Sequence, residues 1–221
     1  MRKTFSAARR GAWIVLLAAT AVLAGWAGPA AAAERDLPGL APVLDELRQG
    51  GLVIYLRHAA TEHAEASGAL EDMARCSTQR NLSAAGRAAA LRSGRAIKAL
   101  GIPIGTVLAS PFCRTGGTAQ LTFGRYVPEP DLRFAMGSDA AETRHLAGVL
   151  RRMLATVPAG RANTVLVSHS ANLFEATGIF PKPEGVAIVF RPLADGRFEP
   201  LARILPGDWE QAAGRGAGAA R

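Results

Sequence analysis

Leu52-Val53-Ile54-Tyr55-Leu56-Arg57-His58-Ala59 is the stretch that decides the fold. Five apolar residues, β-branched and aromatic among them, follow Gly50-Gly51 and run directly into a basic and an imidazole side chain. A run this short, bounded in this way, reads as a buried strand. Two other runs share its form: Thr106-Val107-Leu108-Ala109, ended by Ser110-Pro111, and Thr164-Val165-Leu166-Val167, ended by Ser168-His169.

The intervening segments read as helices. Ser83 caps one that runs to about residue 100, with Ala85, Ala89, Ile97 and Leu100 among its apolar positions, and Gly101-Ile102-Pro103 stops it. Gly86 and Gly94 are unfavourable inside that helix. A second helix is predicted over 112 to 123, followed by a loop at Pro128 and Pro130. A third fits 139 to 156, where Asp139 and Glu142 make a capping-box-like start and Leu146, Val149, Leu150 and Met153 share a stripe. Residues 186 to 191 and 198 to 205, split by Asp195-Gly196, read as a hairpin. Strands alternating with helices predict an α/β fold, a three-layer α/β/α sandwich with a mainly parallel central sheet.

The ends read differently. Arg2, Lys3, Arg9 and Arg10 precede an uncharged run rich in Ala, Leu and Val, and Ala31-Ala32-Ala33 stands before Glu34. Residues 1 to 33 are therefore expected to be a signal peptide, which implies a periplasmic or secreted protein, with an uncleaved membrane anchor as the alternative. The expected domain spans 34 to 208, and the Gly/Ala/Arg-rich stretch 209 to 221 is expected to be a disordered tail. The formal charge of +8 includes the four basic residues of the leader, so the remainder carries about +4, with its arginines scattered. No basic run is interleaved with aromatics, so nucleic acid is not an expected partner, and membrane contact is expected only through the leader.

In a parallel sheet, ligands sit beyond the carboxyl ends of the strands. Here those ends carry Arg57-His58, Ser110-Pro111-Phe112-Cys113-Arg114 and Ser168-His169. Two histidines and two arginines meeting in one pocket suit phosphoryl transfer, which needs a positioned nucleophile and fixed positive charge around the phosphoryl oxygens. A neutral imidazole can attack phosphorus, and arginine can bind two oxygens at once.

At these residues the chain resembles the histidine phosphatase superfamily, which includes phosphoglycerate mutases and histidine acid phosphatases. The similarity spans residues 52 to 191 and rests on Arg57-His58-Ala59 with Thr61, Leu82-Ser83-Ala84-Ala85-Gly86, Ser110 through Arg114 to Thr118-Ala119, and Val165-Leu166-Val167-Ser168-His169. The resemblance implies a phosphoglycerate mutase-like fold, with His58 as nucleophile and Arg57, Arg114 and His169 forming a phosphate pocket. It also implies a small phosphorylated substrate, an envelope sugar phosphate being one candidate, and no cofactor or metal. Neither Cys76 nor Cys113 has metal-ligand spacing.

Departures from the family pattern are visible. Ala59 stands in place of glycine, Gly117 where many members have Glu, and Ser170 follows His169. The family's usual proton donors are missing, which leaves Glu62, four residues after His58, as first candidate for general acid, with Glu142 and Asp139 behind it. His63 is expected to line the entrance, and His145 to lie on a helix surface. Arg80 is expected near the pocket. Cys76 and Cys113 could pair in an oxidising compartment or remain free thiols; paired, they would pin the Arg80 loop against the phosphate site. Alternative readings are a phosphohistidine protein phosphatase, a mutase, or a phosphate-binding module without turnover.

Overall fold

The computed structural model describes residues 37–62, 75–135 and 138–219. The expected leader and His63 lie outside the described residues. Six strands form one sheet in the order β3-β2-β4-β1-β5-β6. They are β1 (Val53–Arg57), β2 (Ile104–Ala109), β3 (Val127–Pro128), β4 (Asn163–Ser168), β5 (Ala187–Pro192) and β6 (Phe198–Ile204). β1, β2, β3 and β4 run parallel, whereas β5 pairs antiparallel with β1 and with β6, so the sheet is mixed.

The continuous apolar character of β1 follows from cover on both faces. Ile54 and Leu56 pack with Ile97, Val165 and Trp209 on one side, while Val53 and Tyr55 pack with Leu150, Leu166 and Phe190 on the other. Each such fully buried side chain contributes about 1.5–3 kcal/mol. The helices supplying this cover are α1 (Leu44–Gln49), α2 (Ala84–Ala99), α3 (Cys113–Phe123), α4 (Ala140–Ala155), α5 (Ser170–Thr177) and α6 (Asp208–Ala219). Among the described residues no helix is long and apolar enough to cross a membrane.

Local chemistry explains the boundaries. The Ser83 hydroxyl accepts from the Gly86 amide at 3.0 Å and starts α2. Gly86 and Gly94, unfavourable on propensity alone, are needed where the helix meets other backbone: a Cβ on Gly86 would lie 1.9 Å from the Ala60 carbonyl oxygen, and one on Gly94 2.2 Å from that of Thr122. Asp139 caps α4 by accepting from the Ala141 and Glu142 amides, both at 2.8 Å.

One expectation is overturned. Residues 209 to 219 are not a disordered tail, because they belong to α6 (Asp208–Ala219), and residues 220 and 221 lie outside the described residues. Trp209 is 2 % exposed in the core, Ala212 and Ala213 pack beside it, and Arg92 of α2 pairs with Glu210 at 3.1 Å. A single buried indole anchors a segment whose remaining composition gives little apolar surface.

Candidate active site

Sheet pairing assembles the site. Arg57 at the end of β1 lies opposite Ser168 at the end of β4, and the His58 amide continues that ladder by donating to the Ser168 carbonyl at 3.0 Å. On the other side of β4, the Ser110 amide donates to the Val167 carbonyl at 2.9 Å. His58, Ser110 and His169 therefore stand at one sheet edge. The rings of His58 and His169 meet edge-on, with centroids 5.5 Å apart, and both residues are buried.

The hydrogen bond made by His58 fixes its tautomer. Its Nδ1 lies 3.0 Å from the Ala59 carbonyl oxygen, which can only accept, so Nδ1 carries the hydrogen and Nε2 the lone pair. Burial lowers the His58 pKa to about 4; Arg114 and Arg57 push the same way, against the Ala59 carbonyl and Glu184. The ring is thus neutral at ordinary pH, the form in which an imidazole can attack an electrophile. His169 is held well below the usual histidine range by burial and by Arg114, His58, Arg80 and Arg57. Its Nε2 lies 2.9 Å from the Ser110 hydroxyl, and its ring sits 5.2 Å from Phe112 and 5.1 Å from Phe134.

The arginines converge on this pair. Arg114, in the first turn of α3, is buried with its guanidinium 4.5 Å from the Phe112 ring centroid. Arg57 donates through Nη1 to the Pro181 carbonyl at 2.9 Å and through Nη2 to Glu184 at 3.4 Å. Arg80 also reaches Glu184 at 3.4 Å. The Nε of Arg57 and the Nδ1 of His169 are buried without a hydrogen-bond partner among the described residues. Unsatisfied buried polar atoms beside clustered guanidiniums suit an anion-binding site.

The carboxylate beside His58 is Glu184, which sequence reasoning missed. Its Oε2 accepts from the Thr61 amide at 2.9 Å, and its Oε1 accepts from the Thr61 hydroxyl at 3.1 Å and lies 4.0 Å from His58 Nδ1. Burial pushes its pKa up, but the bonds from Thr61 and the charge of Arg57 prevail and hold it below the usual value. No sequence motif marks it; its place follows from the sheet, because the loop 181–185 leads into β5, which runs antiparallel to β1 and so starts at the His58 end. There the Gly185 amide donates to the His58 carbonyl at 2.8 Å.

The other candidates are placed as follows. Glu62 is exposed, its amide donating to the Asn81 carbonyl at 3.0 Å. Glu142 is bound by Arg133, through Nε at 3.0 Å and also through Nη2, and Asp139 is occupied as the cap of α4. His145, on α4, lies 3.5 Å from Asp131. Cys76 and Cys113 form a disulfide with Cα atoms 5.6 Å apart, and the side-chain oxygen of Gln79 accepts from the Cys113 amide at 2.8 Å. The Arg80 loop is thereby joined to the start of α3, next to Arg114. The extra methyl group of Ala59 is accommodated by packing with Leu82 and Ala90, while its amide donates to the Thr118 hydroxyl at 2.9 Å.

No protein-family model matches the chain, and no curated protein matches it. Solved structures do. A proposed alpha-ribazole-5'-P phosphatase from Escherichia coli superposes with a TM-score of 0.52 at 17% identity, covering 71% of this chain and 98% of its own. A mutant phosphoserine phosphatase from Entamoeba histolytica, in complex with phosphoserine, gives 0.51 at 15% identity, covering 69% and 95%. A phosphoserine phosphatase structure from the same organism, with 3-phosphoglyceric acid, gives 0.50 at 16%, again covering 69% and 95%. These neighbours are members of the histidine phosphatase superfamily, and the chain shares their phosphoglycerate mutase-like α/β fold.

Proposed function

We propose that the chain is a phosphatase that hydrolyses small phosphomonoesters through a phosphohistidine intermediate on His58. The observation that carries this reading is the locked tautomer: with Nδ1–H held by the Ala59 carbonyl, a neutral His58 offers the Nε2 lone pair beside His169 and a cluster of three arginines. In the first step Nε2 forms a bond to phosphorus while the bond to the leaving oxygen breaks, and that oxygen takes a proton. Water then attacks phosphorus and gives a proton to the group that protonated the leaving oxygen, the P–N bond breaks, and its electron pair returns to Nε2. Arg57, Arg114 and His169, with Arg80 at the rim, bind the phosphoryl oxygens and offset the charge that develops on them.

Glu62 is the proposed donor to the leaving group. It is exposed and stands four residues after His58 in the chain, whereas Glu142 is bound by Arg133 and Asp139 caps α4. Small phosphorylated ligands bound by fold neighbours, phosphoserine and 3-phosphoglyceric acid, support the substrate class. The leader-like residues 1 to 33 support action outside the cytoplasm, where a phosphorylated envelope sugar would be accessible.

The test compares hydrolysis of a chromogenic aryl phosphate by the wild type and by His58→Ala. The expected loss is at least roughly 1,000-fold, as for removal of an attacking group. Equal rates would overturn the assignment.

A further inference from the structure

We infer that Glu184 is a positioning residue whose charge stabilises the phosphorylated form of His58 and ties the Arg57 and Arg80 side chains to one anchor. The inference rests on the phosphohistidine reading above. When Nε2 bonds to phosphorus, the ring still carries hydrogen on Nδ1, so the neutral imidazole becomes a formal cation. It becomes so in a buried position already faced by Arg57 and Arg114. Water cannot solvate that charge well. The Ala59 carbonyl supplies a dipole at 3.0 Å, and Glu184, 4.0 Å from the same Nδ1, supplies a full negative charge.

The interaction is differential. Glu184 gains little from a neutral ring and much from a cationic one, so its stabilisation appears as the P–N bond forms and fades when that bond breaks. Its position also argues against a role as proton donor. It lies on the Nδ1 side of the ring, opposite the nitrogen that attacks, and Thr61 holds it in its ionised form through both amide and hydroxyl. The same Oε1 accepts from Arg57 and Arg80, each at 3.4 Å, so one carboxylate sets the relation between the nucleophile and two of its phosphate-binding groups.

Rapid-quench kinetics on the full chain, with phosphoenzyme trapped in alkali, test this in Glu184→Gln, Glu184→Asp and His58→Ala. Glu184→Gln should slow phosphoenzyme formation by about 10- to 100-fold, the scale on which a single charged partner contributes. Glu184→Asp, which keeps the charge, should recover at least part of that rate. In Glu184→Gln the His58 titration, followed by NMR, should move to still lower pH, which a purely structural role would not produce. A wild-type burst rate or an unmoved His58 titration in Glu184→Gln, with His58→Ala inactive, would overturn the role of Glu184 and leave the phosphatase reading intact. Persistent activity in His58→Ala would instead remove the reading itself. If Glu184→Gln does not fold, a folded Glu184→Asp with no detectable burst overturns the inference, and one that retains a burst supports it.

Discussion

The amide of His58 donates to the carbonyl oxygen of Ser168 at 3.0 Å, extending the β1–β4 ladder one residue past its last strand position. This bond brings the imidazole before Ala59 to the imidazole after Ser168. A histidine pair separated by more than a hundred residues of chain is thereby set by parallel sheet register.

His169→Asn should therefore impair turnover rather than folding. Removing one oriented donor from a phosphoryl site typically costs 100- to 1,000-fold in rate. Steady-state kinetics on an aryl phosphate, alongside a thermal melt, would check this; unchanged kcat/KM would exclude His169 from the phosphate pocket.

Stability should fall with acid, in part because of His58. Its pKa is about 4 in the folded chain and near 6.5 when unfolded, so between those values the unfolded state binds the extra proton. Stability present above pH 6.5 is lost as pH drops toward 4, by on the order of 3 kcal/mol for this one group. His169 acts in the same direction. Melts of wild type and His58→Gln at pH 7 and pH 4.5 should show a smaller acid-induced loss in the variant, and equal losses would contradict the buried neutral ring.

Gly86→Ala should reverse the ordinary rule that alanine favours helix. Its Cβ would fall 1.9 Å from the Ala60 carbonyl oxygen, forcing α2 away from the loop that follows His58. A loss of about 3 kcal/mol is expected in denaturant titration, in the upper range for overpacking, with reduced activity. A stabilised, active Gly86→Ala would show that α2 does not press on that loop.

Reduction of the Cys76–Cys113 disulfide should lower the melting temperature and raise KM. The cross-link spans a sequence separation of 37, for which chain entropy gives about 4 kcal/mol. Freed, the Arg80 loop would lose its covalent tie to the start of α3. Identical melts with and without a thiol reductant, once free thiols have been confirmed, would contradict this.

The strands, the caps at Ser83 and Asp139, and the hairpin are legible in the sequence because each depends on local chemistry: apolar runs, side chains that satisfy helix amides, and a turn at Asp195-Gly196. Arg57 and the two histidines are legible because they end or directly follow strands, and Arg114 because it opens the helix that follows β2. Glu184 is not, since it lies 127 residues after Arg57 in a loop without a motif and gains its meaning from the antiparallel pairing of β5 with β1. Helix α6 is hidden for a related reason: its formation depends on Trp209 finding the groove beside Ile97, a tertiary fact that composition does not carry. Phe112 and Phe134, which flank the His169 ring, likewise acquire a role only through packing.

The most direct measurement is chemical identification of the intermediate. The protein would be mixed with a phosphomonoester, quenched in alkali within milliseconds and digested, and the peptide containing His58 examined by mass spectrometry. A base-stable, acid-labile phosphoryl group on His58, absent from His58→Ala, is predicted. Turnover with no phosphoryl group on His58, undiminished in His58→Ala, would contradict it.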